Sequence, residues 1–274
     1  MRVFACAFPE RLIAAAIGVT ISLALIDGAA EAAPQRVASL NLCTDELLLM
    51  LAEPRQIVSV THLAQQSAET PLWRAARRYR KNDGSLLSVA GMKPDLVLTM
   101  GGGARDAKRI AGRLGIRTLD LPYPQSLPDI ETSISQVALA LGREEAGKRV
   151  LARITALKRS NLSHGVETVW LGGGGRSVAA NGLAADWMRL AGLRQRRLQG
   201  DRISLEQLLV SPPPILLRSD YRQGQYSGEQ RWLSHPLAKG VARSRNVATD
   251  GRRWTCMGPP MIAEIVRLRD VLAQ

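Results

Sequence analysis

The chain states one plan twice. SLLSVAGMKPDLVLTM, beginning at Ser85, sets without a gap against SLEQLLVSPPPILLRS, beginning at Ser204. Ser85 meets Ser204, Leu86 meets Leu205, Pro94 meets Pro213, and Leu96-Val97-Leu98 meets Ile215-Leu216-Leu217. Each stretch reads as a short helix, a proline-bearing turn and a buried strand. Glycine runs close two strands in the same way: LVLTM passes into Gly101 to Gly103, and TVWL into Gly172 to Gly175. A repeated supersecondary unit of this kind predicts two lobes of similar plan.

Between the two copies the apolar spacing turns helical. Ile130, Ile134, Val137 and Leu141 mark one face of residues 126–141, Gly142 interrupts, and Val150, Leu151, Ile154 and Leu157 mark a second helix over 143–161. At 1.5 Å per residue that second helix reaches roughly 28 Å, about the height of a small lobe. It predicts a strut, with His164 near its end. Strands are predicted at 37–40, 57–60, 96–100 and 116–121 in the first half and at 168–171, 215–217 and 246–248 in the second, alternating with helical patterns. Alternation of this kind gives mostly parallel sheets with helices on both faces. The expected fold is therefore α/β: two doubly wound lobes joined by one long rigid helix. Its divisions are a signal peptide over 1–32, a first lobe over 33–125, a helical segment over 126–164 and a second lobe over 165–274.

The leader is read from its order of charge, apolar run and small residues. Arg2 and Arg11 flank a mostly uncharged stretch, residues 12–26 are continuously apolar or small, and Ala30-Glu31-Ala32 then fits a processing site. The apolar run is shorter than the roughly 20 residues a spanning helix needs. Both phenylalanines, Phe4 and Phe8, lie in the leader, so the core falls to Leu, Val, Ile, Ala and a few Trp. The net charge is +13. The leader holds two basic and three acidic groups, so the remainder stands at about +14. Such a charge favours anionic partners. Export excludes nucleic acid and leaves anionic ligands, membrane surfaces or acidic proteins.

Ligands of open α/β sheets bind at the carboxyl ends of the strands. Here those ends carry Asn41, Cys43, Thr44, His62, Gly102, Arg105 and Tyr123 in the first half, and Arg176, Tyr221, Arg222, Trp254 and Cys256 in the second. In SLNLCTDELL the apolar run breaks at Asn41 and resumes at Leu47, which reads as a strand, a turn, and a helix capped by Thr44 or Asp45. No phosphate-loop Lys-Ser/Thr follows either glycine run, and no G-x-S-x-G is present. Cys43 and His62 lack a patterned orienting group or oxyanion hole, so no catalytic role is expected. The three histidines are scattered, so neither a metal site nor a cofactor is expected.

RVASLNLCTDELLLMLAEPRQIVSV, the KPDLVL strand, the LG-R break before the long helix and the closing WTCMGPPMIAEIVRL resemble the periplasmic substrate-binding proteins of ABC importers for iron-siderophore, haem and cobalamin complexes. The resemblance runs from Arg36 to Leu272. It implies a periplasmic, monomeric protein of two α/β lobes bridged by a long helix, holding its ligand between them with little hinge motion. It also implies a permease with its ATPase as partner, so that the membrane is met only through the permease. Each lobe of the family presents a docking Glu on its outer face. Glu206 holds that position in the second lobe, while Leu87 stands at the matching place in the first, so that either another acid such as Glu69 or Asp83 substitutes or the transporter docks differently.

Among the family's ligands, arginine-rich cleft loops favour an anionic iron complex, since guanidinium forks match carboxylate or catecholate oxygens. Cobalamin would use the aromatic walls of Tyr123, Tyr221 and Trp254. A secreted protein that no longer transports, acting as a sensor or enzyme-like scaffold, is the alternative from another class. Cys43 and Cys256 are expected as two cleft-wall thiols; a disulfide between them would pin the lobes and needs Cα atoms within about 7 Å.

Overall fold

The computed structural model describes Met1 and residues 33–102, 105–160, 165–221 and 227–274. The expected signal peptide, His164 and Arg222 lie outside the described residues. In chain order the first half contains β1 (Val37–Ser39), α1 (Leu42–Leu51), β2 (Ile57–Thr61), α2 (Trp73–Ala76), β3 (Arg80–Asn82), α3 (Leu86–Ala90), β4 (Leu96–Met100), α4 (Arg105–Arg113) and β5 (Arg117–Leu121). Two longer helices follow, α5 (Leu127–Leu141) and α6 (Glu144–Arg159). The second half contains β6 (Val166–Leu171), α7 (Leu183–Leu190), β7 (Leu193–Gln195), α8 (Leu205–Val210), β8 (Ile215–Ser219), α9 (Gly228–Ser234), α10 (Pro236–Lys239), β9 (Arg245–Thr249), α11 (Arg253–Cys256) and α12 (Met261–Ala273).

Among the described residues nine strands form two wholly parallel sheets, ordered β3-β2-β1-β4-β5 and β7-β6-β8-β9. The strand order reverses between β1 and β4 in one and between β6 and β8 in the other, which makes these the two switch points. The internal repeat survives in three dimensions. Ser85 and Ser204 both cap their helices through the side chain, and β4 and β8 begin and end at matched positions. Strands β3 and β7 were not legible beforehand. RKN and LRQ carry no apolar alternation, and their extended state comes from pairing with β2 and β6 at the sheet edges.

Side chains alternate between two faces, as a strand requires. Leu96 and Leu98 enter a central core shared with α1, α5, α6, α7 and α12, while Val97 turns outward to Leu86, Val89 and Ala111. In the second sheet Ile215 and Leu217 join the same central core, and Leu216 packs with Leu208, Leu233 and Ala238. One apolar core therefore runs from sheet to sheet.

The predicted strut divides as expected at Gly142, which ends α5 in the left-handed region (φ 64°). Leu141 at the end of α5 accepts a bond from Gln56 Nε2 at the foot of β2 (3.0 Å). The following helix, about 24 Å long, starts where Arg143 pairs with Glu53 and ends where Arg269 of α12 donates to Leu157 O (2.8 Å) and Ser160 Oγ (2.6 Å). It thus ties the first sheet's foot to the last helix of the second half. Gly147 lets α6 lie close on α5, because a Cβ there would sit 2.6 Å from that of Ala138.

Candidate ligand-binding site

Helix α1 starts three or four residues earlier than a cap at Thr44 or Asp45 would place it. Asn41, in extended conformation, is its cap and accepts from Cys43 N at 2.8 Å, so neither Thr44 nor Asp45 caps it. Thr44 lies buried, its hydroxyl bonded to Ser39 Oγ (2.7 Å) and to Asn41 O (2.9 Å), and it supports the turn from beneath. Starting the helix at Leu42 turns Cys43 toward the second half of the molecule. There it forms a disulfide with Cys256, with Cα atoms 5.2 Å apart. The expectation of two free thiols is thereby corrected. The parallel ends of two different sheets bring the two cysteines within bonding range, a proximity that their separation of 213 residues in sequence conceals.

Below the disulfide, α1 carries two buried carboxyl groups. Asp45 accepts from Thr61 N (3.1 Å) and Thr61 Oγ1 (2.5 Å), and Glu46 accepts from Thr70 Oγ1 (2.6 Å). Burial pushes both up to about 7, with hydrogen bonds opposing the rise. Glu46 Oε2 has no hydrogen-bond partner, and a Cβ on Gly258 of the second half would lie 3.8 Å from it.

One loop of the first half reaches across the seam to the second: Ser67 O accepts from Arg252 (2.9 Å) and Glu69 Oε2 accepts from Tyr221 Oη (2.8 Å), while Thr70 of the same loop holds Glu46 within the first half. Glu69 is 6% exposed, which removes it as an outer-face docking acid. Asp83 and Glu206 are exposed, and so is Leu87, at 86%.

At the β6/β8 switch point lies a cavity of about 550 Å³. Trp170 forms one wall, Gly172 and Gly173 let the chain pass close, Tyr221 stands toward the seam, and Arg176, Glu229 and Gln230 supply the polar rim. Trp254 is not itself a wall. It is buried behind Trp170, ring centroids 6.0 Å apart, with its Nε1 donating to Thr249 Oγ1 (2.7 Å). Gly251 makes the floor possible: a Cβ there would fall 2.2 Å from Ser219 Oγ and 2.4 Å from Tyr221 Cβ.

Arg176 and Tyr221 are thus gathered into one cavity, with Cys43 and Cys256 joined nearby. Arg176 is already paired with Glu229 (2.5 Å), and Arg252 is held by Asp250 (2.8 Å). The cavity is less cationic than a count of arginines implies. His62 is exposed at the end of β2, with Nδ1 3.3 Å from Asn82 O. Gly102 is exposed, and Tyr123, 58% exposed, lies over Gly101. Neither they nor His62 line this cavity. Arg105 opens α4, and its side chain lies outside the described residues. Trp170 and Glu229 are among the lining residues that sequence reasoning missed. Trp170 reads as strand filler in TVWL, and Glu229 sits on α9, a short helix whose side of the sheet no local pattern discloses.

The family model for periplasmic binding protein matches residues 37–249. The chain belongs to this family. Among solved structures, its fold is similar to the periplasmic haem-binding protein HutB of Vibrio cholerae, at 17% identity and a TM-score of 0.65, over 88% of this chain and 99% of that one. The periplasmic haem-binding protein RhuT from Roseiflexus sp. RS-1 in apo form is similar at 20% identity and a TM-score of 0.62, over 86% and 98%. A periplasmic haem-binding protein from Pseudomonas aeruginosa is similar at 18% identity and a TM-score of 0.60, over 87% and 92%. No curated protein matches the chain.

Proposed function

We propose that this protein is the periplasmic substrate-binding component of an ABC importer and that it captures an iron complex of haem or siderophore type. The observation that carries the reading is the cavity at the β6/β8 switch point, walled by Trp170, rimmed by the Arg176–Glu229 pair and linked across the seam by Tyr221. An aromatic wall beside a few oriented polar groups suits a large, flat or multidentate chelate. The haem-binding neighbours support the same class. Export through a cleaved leader fits this placement, and a monomer suffices for it. Glu206, exposed on the first turn of α8, serves as a docking acid for the permease, with an apolar contact at Leu87 on the other lobe in place of a second acid.

Titrating tryptophan fluorescence with haem, ferric siderophores, cobalamin and free divalent ions tests this, because Trp170 lines the cavity. Saturable quenching by a ferric chelate, lost in Trp170→Leu, is the expected result. Binding of a free divalent ion alone would overturn it.

A further inference from the structure

Residues 70–82 read TPLWRAARRYRKN, with five cations and no carboxylate. Arg74, Arg77, Arg78, Arg80 and Lys81 are all exposed, and among the described residues none of them is held in an ion pair. They occupy one region of the first lobe, from the short helix α2 to the edge strand β3, whose only sheet neighbour is β2. Edge position keeps this strand's exposed side free of another strand.

An indole sits among these charges. Trp73 is partly exposed, and the guanidinium carbons of Arg74 and Arg77 lie 4.5 and 4.7 Å from its ring centroid, both within cation–π range. We propose that this edge of the molecule, α2 with the open side of β3, rests on an anionic phospholipid bilayer, with the cations of α2 and of both sides of the edge strand on headgroup phosphates and Trp73 at the level of the interface. The proposal goes beyond ligand capture, does not depend on which ligand is carried, and replaces the expectation that the membrane is met only through the permease.

Three features favour a lipid surface over a shaped protein partner. The cations come from a helix, a turn and a strand edge, so they present a spread of charge rather than a groove. The largest apolar group is an indole flanked by guanidiniums, which is the arrangement an interface accommodates, since indole prefers the headgroup level and arginine grips phosphate in a forked geometry. The absence of carboxylates over 70–82 leaves the local field uncancelled, and a polybasic stretch gains its attraction to anionic lipid charge by charge.

The test uses the full chain after leader removal, without ligand, floated with vesicles of neutral phosphatidylcholine alone or with 30% phosphatidylglycerol. Binding to the anionic vesicles alone, falling steeply as salt rises, is the expected result. At about fivefold per cation, the triple change Arg74→Gln, Arg77→Gln, Arg78→Gln lowers it by about a hundredfold. Arg149→Gln with Arg153→Gln, equally exposed on α6, leaves it within about twofold. Trp73→Leu lowers it severalfold without altering the salt slope. Should the triple variant not fold, Arg80→Gln with Lys81→Gln gives about a twentyfold loss. Equal binding to both vesicles, or an equal loss in the α6 control, would overturn the proposal. So would failure to bind vesicles combined with patch-dependent binding to the permease in a neutral nanodisc, which would assign the face to an acidic protein surface.

Discussion

In the second lobe Arg176 faces Glu229, Arg196 grips Glu167, Arg252 and Arg253 share Asp250, and Arg267 holds Glu264. In the first, residues 74–81 carry five cations, none of them in an ion pair among the described residues. The two sheets have the same parallel plan, so the difference is not one of fold. A paired guanidinium is fixed in place and can orient what touches it, whereas an unpaired one acts through a field reaching about 8 Å at physiological salt. Of these pairs Arg176–Glu229 lines the cavity at the β6/β8 switch point, where a fixed guanidinium suits the proposed ligand role, while the cations of α2 and β3 suit the proposed surface.

The disulfide couples these two regions, and breaking it gives the largest expected effect. Cys43 and Cys256 enclose most of the chain after the leader, and a loop of that length restricts the unfolded state by about 5 kcal/mol on chain-entropy grounds. Cys43→Ser with Cys256→Ser should lower the melting temperature by roughly 10–20 °C for a chain of this size. A scan showing a drop under about 3 °C would mean that the shared core and α6 already hold the lobes.

The next effect is on pH dependence. Asp45 and Glu46 are raised from 3.8 and 4.5 to about 7, so each binds its proton more tightly in the folded state. Their stabilising contribution is whole below about pH 4 and is lost as pH rises through 7, at up to about 1.4 kcal/mol per pH unit for each group. Denaturant melts between pH 5 and 8 should show this decline, and Asp45→Asn with Glu46→Gln should flatten it. An unchanged slope in the double variant would place the titration elsewhere. Removing the seam bond by Tyr221→Phe should cost about 1 kcal/mol of stability. It should also loosen ligand binding, a result that isothermal titration would detect and that a bond confined to the fold would not give.

Arg176→Ala sits at the small end for stability. Its pair with Glu229 is exposed, at 62% and 49%, so the melting temperature should hardly move. Affinity for an anionic chelate should fall severalfold, and unchanged affinity would remove Arg176 from the site.

Much of this was legible in the chain. The Ser85 and Ser204 units, the break at Gly142 and the strands at 96–100 and 215–219 follow from spacing, caps and punctuation, which are local properties. What was misread failed for identifiable reasons. Asn41 was passed over as a cap because Thr44 and Asp45 are equally good cap residues, and only burial shows that they point into the core. Trp254 looked like a cleft wall because strand ends usually are, yet Trp170 stands in front of it. The arginines looked like a cationic cleft because sequence gives charge without partners: Glu229 reaches Arg176 from α9, while Asp250 pairs with Arg252 and Arg253 from two and three residues upstream.

The sequence by itself determined the repeated α/β plan, the export leader it predicts, and the surplus of positive charge. Each depends on neighbours along the chain, where order alone carries the signal. Tertiary structure decided the Cys43–Cys256 bond, the Tyr221–Glu69 seam and which arginines are free to act. These depend on which strand ends the two switch points bring face to face, and such meetings are set by the packing of one core across both sheets rather than by any local pattern.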